Sequence, residues 1–529
     1  MTRTQAQLTA TPLPTAAQAA APLTRQPPRS AWAAVVVLAA GVRLVYWLTS
    51  PSVLRDTVGF IARAAEFTDR TFLQHPVQEP LHPVLIRLAH RLLFPRAFDL
   101  GPPDPFAWEL AAFTVGMVTS LACLALLYGL GRRLHSPAAG LWAAFFFAVQ
   151  PYAVIYSVNG LSETTFLAFV LLAVLLTLAA DDNRNRWLLA AGAAAMLALL
   201  VRKEGIVLLA AIAIYLLLAK PIRPRRRLGQ TAAFLAGAGA LAALYWLIGG
   251  RFLWFGEYLQ CFDFRYTIDR FFGPAEGQPN AQASLWISSR YQFFIPLILA
   301  WFKQSGFLPV ALFLVFALQR RRFPLRPGAI LFAIVIVLHL TMVMVQIFGT
   351  HRVVSRYMFP PAVMTFPVAG AVLACWLQSL ADRTGRPARR FHLSLALILI
   401  ALLVPEALQR GFSGHRDEIH RTGQWLARNT RADDYLFVED CRINFYGGRY
   451  GATTSIKEMG EHITHARHRG LDRCLFVLRD SEGKNHVLRH LRYRLDQRGD
   501  LAAETLASFD GPSGKLSVLR IRPRTPQTP

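Results

Sequence analysis

Long apolar segments recur along this chain, and they constrain its fold more than any other feature. About eleven of them are long enough, or nearly long enough, to cross a hydrocarbon core of about 30 Å. They lie at about 31–49, 107–130, 138–157, 161–180, 187–201, 204–219, 229–249, 304–319, 328–348, 357–378 and 391–408. With 53% hydrophobic and only 17% charged residues, the chain of 529 residues is too apolar for a soluble multidomain protein. The sequence predicts an α-helical polytopic membrane bundle.

Basic residues mark alternate connections between these segments. They occur at Arg132-Arg133, at Arg184 with Arg186, and within 220–227, 320–326 and 383–390. Because Lys and Arg accumulate in cytoplasmic loops, this alternation predicts a cytoplasmic N terminus and an extracytoplasmic C terminus. The formal net charge of +25 is then largely a topology signal, and no nucleic-acid partner is predicted. We expect a multi-pass protein of the inner (plasma) membrane.

Changes in composition divide the chain into three parts. Residues 1–30 are rich in Ala, Thr, Pro and Gln, which predicts a disordered cytoplasmic tail. Residues 31–410 hold the membrane helices, with two long extracytoplasmic loops at 50–106 and 250–303. Residues 411–529 predict a small extracytoplasmic α/β domain. Its strands are expected to begin near Tyr435, Cys474 and Leu516, and its helices to lie near 418–428, 457–469 and 485–498.

The two long loops contain apolar patterns of their own. Residues 56–71 and 83–94 carry apolar residues at helical spacing, which predicts two helices along the membrane surface. Residues 285–302 are apolar but interrupted by Arg290 and Pro296. This segment is compatible with a span and equally with an interfacial or re-entrant helix.

Four polar residues on the predicted outer face are candidates for chemistry. Asp56 follows the first span, Glu79 and His82 lie in a proline-rich turn, and Glu163 opens an apolar helix. Each has a structural alternative: Asp56 and Glu163 also suit a helix N terminus, and Glu79 with His82 also suits an ordinary interfacial turn. Glu163 stands out because ionisable groups near the bilayer are costly and tend to face a cavity or a partner.

A second group of candidates is mostly basic. Arg202, Lys203 and Glu204 connect two spans with almost no loop, and Arg352, Arg356 and Tyr357 precede the tenth span. Guanidinium and ammonium groups suit a phosphate, and basic residues in short outer loops run against the usual charge bias. Snorkelling of long side chains to the membrane boundary is the alternative.

Other polar and sulfur-bearing residues have simpler expectations. Arg43, inside the first span, is expected to snorkel outward or to pair with a carboxylate of the bundle. His339 is expected to be a packed core histidine. Cys441 and Cys474 both fall in the predicted outer domain, where a disulfide between them is permitted but is not required by their spacing.

Taken together, the short motifs resemble the GT-C superfamily of integral membrane glycosyltransferases. The resemblance is strongest to the bacterial relatives of protein O-mannosyltransferases and of aminoarabinose lipid A transferases. It covers residues 30–410, and it rests on the order and common sidedness of five elements rather than on any one. They are Asp56 in the first loop, Pro-Leu-His-Pro-Val-Leu-Ile at 80–86, Ser-Glu-Thr at 162–164, Arg-Lys-Glu-Gly at 202–205 and Arg-Tyr-Met-Phe-Pro-Pro at 356–361.

The resemblance implies transfer of a sugar from a polyprenyl-phosphate donor to a lipid, glycan or protein acceptor, with Asp56 as the catalytic base. It also implies that the basic group at 202–203 and Arg356 hold the donor phosphate. Many members carry a second acidic residue beside that Asp, whereas Arg55 and Thr57 flank it here. A reaction without a cofactor is the favoured prediction, and the use of a divalent metal is left open. A transporter or flippase of lipid-linked sugars and a non-enzymatic membrane scaffold are the rival hypotheses.

Overall fold

The structure is a computed structural model of the chain. It describes residues 29–50, 53–66, 79–95, 104–180, 185–219, 223–249, 295–319, 328–350, 355–412, 417–431, 434–448, 451–453, 459–480, 487–511 and 514–524. Residues 1–28 of the predicted tail at 1–30, most of the loop at 250–303 and the residues Arg352 and Cys261 lie outside this part of the chain. Residues 29 and 30 of the predicted tail belong to a helix.

The first part of the described chain is helical. Its helices are α1 (Arg29–Thr49), α2 (Arg55–Glu66), α3 (Leu81–Leu93), α4 (Pro105–Leu134), α5 (Pro137–Val149), α6 (Pro151–Val158), α7 (Ser162–Ala179), α8 (Asn185–Val201), α9 (Gly205–Ile214, continued by a π turn Tyr215–Ala219) and α10 (Pro224–Gly249). They continue with α11 (Ile295–Ser305). The remaining helices of this part are α12 (Phe307–Leu318), α13 (Ala329–Thr350), α14 (Phe359–Val363, preceded by a 3₁₀ turn Ser355–Met358), α15 (Phe366–Thr384) and α16 (Ala388–Phe412).

Each predicted apolar segment corresponds to a helix or to a bent pair of helices. Among the described residues, five helices are long and apolar enough to cross a membrane, or up to eight if each bent pair is one span. The bent pairs are α5 with α6, α11 with α12, and the 3₁₀ turn and α14 with α15, with bends of 62°, 108° and 49°. Three further apolar helices, α8, α9 and α13, are shorter. The helical membrane architecture is therefore confirmed, while eleven crossings stay a prediction.

The bundle core is formed by apolar side chains of α4, α5, α7, α8 and α15. Phe147, Phe166 and Phe366 are fully buried within it. Small residues allow the closest approaches between backbones. At Gly116 an added Cβ would lie only 1.9 Å from the carbonyl oxygen of Ser157, so only glycine fits where α4 passes α6. This contact fixes the position of the turn that follows α6.

Arg43 has neither of its expected roles. The side chain is fully buried, and it donates to Ser120 Oγ at 2.7 Å and to the carbonyl oxygens of Ala148 and Phe147 at 3.2 and 3.4 Å. Those carbonyls end α5, where the helix dipole and the unsatisfied oxygens favour a cation. The prediction of snorkelling or of a carboxylate partner is wrong because Arg43 caps a broken helix inside the bundle.

The two helices predicted in the first loop are present as α2 and α3, and their position along the membrane surface stays a prediction. They pack against the N-terminal part of α4 through Ile61, Ile86 and Trp108. The turn between α6 and α7 lies against them at Gly160, whose φ is +62°. A Cβ there would lie 2.7 Å from the Cβ of Ala112, so this turn also requires glycine.

The C-terminal part is an α/β unit. Its elements are α17 (Asp417–Asn429), β1 (Tyr435–Val438), α18 (Cys441–Tyr446), β2 (Gly451–Thr453), α19 (Met459–Arg469), β3 (Cys474–Asp480, preceded by a 3₁₀ turn Leu471–Arg473), α20 (Val487–Arg498), β4 (Leu501–Gly511) and β5 (Gly514–Pro523). The sheet order is β2-β1-β3-β5-β4. β1 is parallel to β2 and β3, and β5 is antiparallel to β3 and β4.

Alternating side chains of the strands create two small cores. Phe437 packs on one face with residues of α19 and α20, whereas Leu436 and Val438 pack on the other face with residues of α17 and α18. The three predicted strands and three predicted helices are all present. Cys441 and Cys474 are not joined by a disulfide, so the permitted bond is not formed.

Candidate active site

Four elements bring the sequence-predicted polar residues to one place. Asp56 lies in the first turn of α2, Glu163 in the first turn of α7, Arg202 in the turn between α8 and α9, and Arg356 in the 3₁₀ turn before α14. These segments are far apart in sequence. The Pro-rich, Gly-rich and charged turns that separate the apolar helices thus meet at one end of the bundle.

Arg356 joins two of the carboxylates. Its Nη1 donates to Oδ2 of Asp56, and its Nε lies 3.7 Å from Oε1 of Glu163. The Asp56 side chain is 51% exposed and that of Arg356 is 32% exposed, whereas Glu163 is 2% exposed. Asp56 is therefore the carboxylate of the group that an external molecule can reach.

Arg202 joins the second pair of carboxylates. It donates to Glu163 Oε1 at 2.9 Å, to Glu204 Oε1 at 2.7 Å and to Ser162 Oγ at 3.2 Å. Burial opposes the charge of Arg202, but Glu204 and Glu163 outweigh it and raise the pKa of the guanidinium. Burial likewise opposes ionisation of Glu204, but the charge and hydrogen bonds of Arg202 lower its pKa. Both groups are thus held in their charged forms.

The result is a row of alternating charges, from Asp56 through Arg356, Glu163 and Arg202 to Glu204. Three carboxylates face two guanidiniums, and the buried oxygen Glu163 Oε2 has no hydrogen-bond partner among the residues that the structure describes. A carboxylate acceptor without a partner in a buried position is costly, and it suits a hydrogen-bonding ligand.

Glu79 contacts the same turn from the first loop. Its Oε1 accepts a hydrogen bond of 3.1 Å from the backbone N–H of Lys203. Burial is the main cause of a raised pKa at Glu79. This contact joins the proline-rich turn to the turn at 202–204. The catalytic role predicted for Glu79 stays a prediction.

His82 lies inside the protein rather than in the candidate site. Its Nε2 lies 2.9 Å from the carbonyl oxygen of Gly160 and its Nδ1 lies 3.1 Å from Thr165 Oγ1. Burial lowers the pKa of His82 to about 4, so the ring is neutral at pH 7. Nε2–H then donates to Gly160 and Nδ1 accepts from the Thr165 hydroxyl. The two contacts join α3 to the turn before α7 and to Thr165 within α7, and a substrate-binding role for His82 stays a prediction.

Tyr357 contacts the two arginines of this row of charges, and His339 contacts Tyr357. The guanidinium carbons of Arg202 and Arg356 lie 5.3 and 5.8 Å from the centre of the Tyr357 ring, within the range of cation–π attraction. His339 Nε2 lies 3.1 Å from the carbonyl oxygen of Tyr357. His339 is a buried histidine of the bundle, as the sequence predicts. Arg352 lies outside the described residues.

The donor set does not suit a divalent cation. Asp56 and Glu204 each have a guanidinium partner, and Glu163 shares its Oε1 between two. Throughout the described ranges, no three His, Cys, Asp or Glu side chains gather as metal ligands. Dications prefer several oxygen ligands, whereas the oxygens of these carboxylates already face guanidinium groups.

Some residues next to the site gave no signal in the sequence. Asn159 accepts a hydrogen bond from Thr57 Oγ1 through its carbonyl oxygen, and Tyr446 of the C-terminal part reaches the backbone of Val53 at 3.0 Å. Glu109, in the first turns of α4, accepts a hydrogen bond from the Tyr446 hydroxyl. Motifs within single loops do not indicate contacts between α2, α4 and α18, because these helices lie in separate parts of the chain.

The chain is similar to a known protein family and to solved structures. Residues 107–248 match the family model described as dolichyl-phosphate-mannose-protein mannosyltransferase. No curated protein sequence matches the chain. The structure of ArnT from Cupriavidus metallidurans bound to undecaprenyl phosphate is similar, with a TM-score of 0.56 and 14% identity over 93% of this chain and 98% of that one.

Two structures from Archaeoglobus fulgidus are also similar. The oligosaccharyltransferase in complex with Zn and sulfate has a TM-score of 0.54 and 15% identity over 84% of this chain and 68% of that one. The oligosaccharyltransferase AglB in complex with an inhibitory peptide and a dolichol-phosphate has a TM-score of 0.55 and 12% identity over 93% and 74%. The chain has the fold of the GT-C superfamily of membrane glycosyltransferases, as its sequence motifs predict.

Proposed function

We propose that the protein transfers a sugar from a polyprenyl-phosphate donor to an acceptor hydroxyl at the extracytoplasmic face of the plasma membrane. One observation carries the proposal: the half-exposed carboxylate of Asp56 lies against Arg356 at the end of a GT-C bundle. Transfer from a phosphate ester needs a base for the acceptor and a cation for the leaving group. The pair supplies both within one contact.

In this reaction Asp56 takes the proton of the acceptor hydroxyl while that oxygen attacks the anomeric carbon. A new bond forms between the acceptor oxygen and that carbon, and the bond from the carbon to the phosphate oxygen breaks. Polyprenyl phosphate leaves with the electron pair, and the anomeric configuration inverts. Cations beside the leaving phosphate stabilise the charge that develops on it.

Arg356 and Lys203 are the basic residues best placed to meet the donor phosphate. Arg356 is one-third exposed, and Lys203 belongs to the same boundary turn as Arg202. The donors of Arg202 are engaged with Glu163, Glu204 and Ser162. We therefore assign to Arg202 the holding of the carboxylates, in place of the direct phosphate contact that the sequence resemblance implies.

Arg356 couples donor binding to the base. When the donor phosphate accepts a hydrogen bond from Arg356, the phosphate competes with Asp56 for the guanidinium, and the attraction between Arg356 and Asp56 weakens. Asp56 then becomes free to accept the acceptor proton, and Glu163 keeps Arg356 within reach. The phosphate ester itself activates the sugar, so the reaction as proposed needs no cofactor.

The similar structures support the donor class. The structure of ArnT from Cupriavidus metallidurans has undecaprenyl phosphate bound, and that of AglB from Archaeoglobus fulgidus is in complex with an inhibitory peptide and a dolichol-phosphate. By analogy we propose a lipid-phosphate donor with a lipid, glycan or protein acceptor here.

The test is turnover by the purified protein in lipid nanodiscs with a panel of polyprenyl-phosphate hexoses and pentoses. Release of free polyprenyl phosphate, followed by mass spectrometry, is the expected result for at least one donor in the presence of membrane-fraction acceptors. A protein that moves intact donor across liposomes but releases no polyprenyl phosphate would instead be a flippase.

A further inference from the structure

The short helix α18 of the C-terminal part lies directly against the segment that carries Asp56. The Tyr446 hydroxyl accepts a hydrogen bond of 3.0 Å from the backbone N–H of Val53 and donates to Glu109 Oε1 in α4. Val53 precedes Asp56 by three residues, and both Val53 and Tyr446 are buried. One hydroxyl thus joins the C-terminal part, the first loop and the bundle.

A second set of polar contacts holds the same segment. Arg442 Nη1 lies 3.5 Å from the carbonyl oxygen of Val53, and its Nη2 donates to Asp440 at 2.7 Å. Arg55, next to Asp56 in the chain, donates to the carbonyl oxygen of Glu439 at 3.2 Å. Burial opposes ionisation of Asp440, but hydrogen bonds and charge from Arg442 lower its pKa. The carboxylate is therefore charged and holds Arg442 against Val53.

Apolar packing continues the contact. Phe445 packs against the cluster formed by Ile61, Ile86 and Trp108, which joins α2, α3 and α4. On the other side of the α2 start, Thr57 Oγ1 donates to the carbonyl oxygen of Asn159. Contacts from both the C-terminal part and the bundle therefore hold the first turn of α2 in place.

We propose that Tyr446 is a positioning residue for the base Asp56. The inference rests on the proposed function of Asp56. The hydroxyl fixes the chain at Val53 and so sets where α2 begins, which in turn sets the distance from the Asp56 carboxylate to the acceptor oxygen. Displacing a catalytic group by about 1 Å costs up to about a hundredfold in rate. The C-terminal part thereby controls the rate of transfer without contacting substrate.

The first test compares Tyr446→Phe with Tyr493→Phe, which removes a hydroxyl from an exposed tyrosine of the same unit. For Tyr446→Phe we expect kcat to fall by about ten- to a hundredfold, with KM for the donor near wild type and a lower Tm, because the buried Val53 N–H and Glu109 carboxylate lose a hydrogen-bond partner. Tyr493→Phe should match wild type in all three. A rise in donor KM with unchanged kcat would overturn the positioning role.

A double-mutant cycle separates action through Asp56 from any independent effect. If Tyr446 acts through the base, Tyr446→Phe added to Asp56→Asn causes no further loss, because the group it positions no longer takes the proton. Full multiplication of the two losses would overturn the proposal. If Tyr446→Phe does not fold, Glu109→Gln and Glu109→Leu replace it: Gln keeps an acceptor for Tyr446 and should keep kcat, and Leu should lose it.

Amide hydrogen exchange tests the contact independently of the reaction. We expect faster exchange at residues 53–58 in Tyr446→Phe than in Tyr493→Phe. Equal exchange would contradict the claim that the Tyr446 hydroxyl holds Val53 in place. Failure of wild type to release polyprenyl phosphate from any donor would remove the proposed function, while the exchange result would still decide whether Tyr446 holds this segment.

Discussion

Arg356 donates a hydrogen bond to Asp56 although the two residues lie 300 positions apart in the chain. The sequence predicts both on the outer face, but for different reasons. Asp56 is a carboxylate that follows the first span, and Arg356 is a basic residue in an outer loop, where such residues are disfavoured. The fold makes them direct partners. In the proposed reaction, Arg356 is thus the residue that connects the donor phosphate with Asp56.

Replacing Arg356 by alanine should weaken donor binding. A charge-assisted hydrogen bond contributes about 1.5–3 kcal/mol, so the apparent Kd for the donor should rise roughly ten- to a hundredfold. Binding of a fluorescent polyprenyl phosphate to the variant in nanodiscs is the measurement. Arg386→Ala, which removes an exposed arginine of the loop between α15 and α16, is the matched control. Donor affinity equal to wild type in Arg356→Ala would reassign Arg356 to structural support of Asp56.

Arg202→Met should destabilise the protein more than it weakens donor binding. The substitution leaves Glu163 and Glu204 buried without their main cation, and breaking a buried ion pair in this way costs about 3–5 kcal/mol. A lower Tm and a lower yield of monodisperse protein are expected. A well-folded Arg202→Met protein with selectively weakened donor binding would restore the direct phosphate contact that the sequence resemblance implies.

His82 should make stability depend on pH. The histidine pKa of 6.5 in the unfolded chain falls to about 4 in the folded protein. Between these values the unfolded state binds the extra proton, so stability rises with pH, and the contribution of His82 is complete above pH 6.5. As the pH falls to 5, about 2 kcal/mol of this contribution is lost.

Unfolding of wild type and His82→Gln at pH 5 and pH 7 measures the effect. The wild type should lose more stability than the variant on acidification. Equal losses in the two proteins would show that His82 is not the buried neutral group of this structure.

The topology prediction can be checked with reporters. The alternating basic loops predict an active periplasmic alkaline phosphatase when it is fused after Pro529. The same enzyme placed after Arg223, in the basic connection before α10, should be inactive. Reversal of the two signals would place the Asp56–Arg356 pair on the cytoplasmic side and would remove the proposed extracytoplasmic reaction.

The apolar pattern predicts where the helices lie because burial in a bilayer requires long continuous hydrophobic runs. It does not predict the bends at Gln150 and Thr365, where a segment predicted as one span is divided between two helices. Nor does it predict the environment of Arg43, because the carbonyl oxygens that accept its hydrogen bonds exist only once α5 ends inside the bundle.

The C-terminal unit shows the same division between local and long-range information. β1 and β3 are apolar runs of buried strands and are evident from sequence. β4 is an edge strand rich in Ala and paired only with β5, so its local preference for strand is weak. Tyr446 stands out in no motif, because its importance comes from Val53 and Glu109, which lie in other parts of the fold.

The most direct test of the account is the turnover of Asp56→Asn. Asparagine keeps the size of the side chain and caps a helix about as well as aspartate, but it does not take a proton from the acceptor. With a donor that the wild type uses, transfer should fall by about 10²–10⁴ while the Tm and donor Kd stay near wild type. Asp382→Asn, an exposed aspartate of α15, should transfer at the wild-type rate. Near-normal transfer by Asp56→Asn would contradict the assignment of Asp56 as the base.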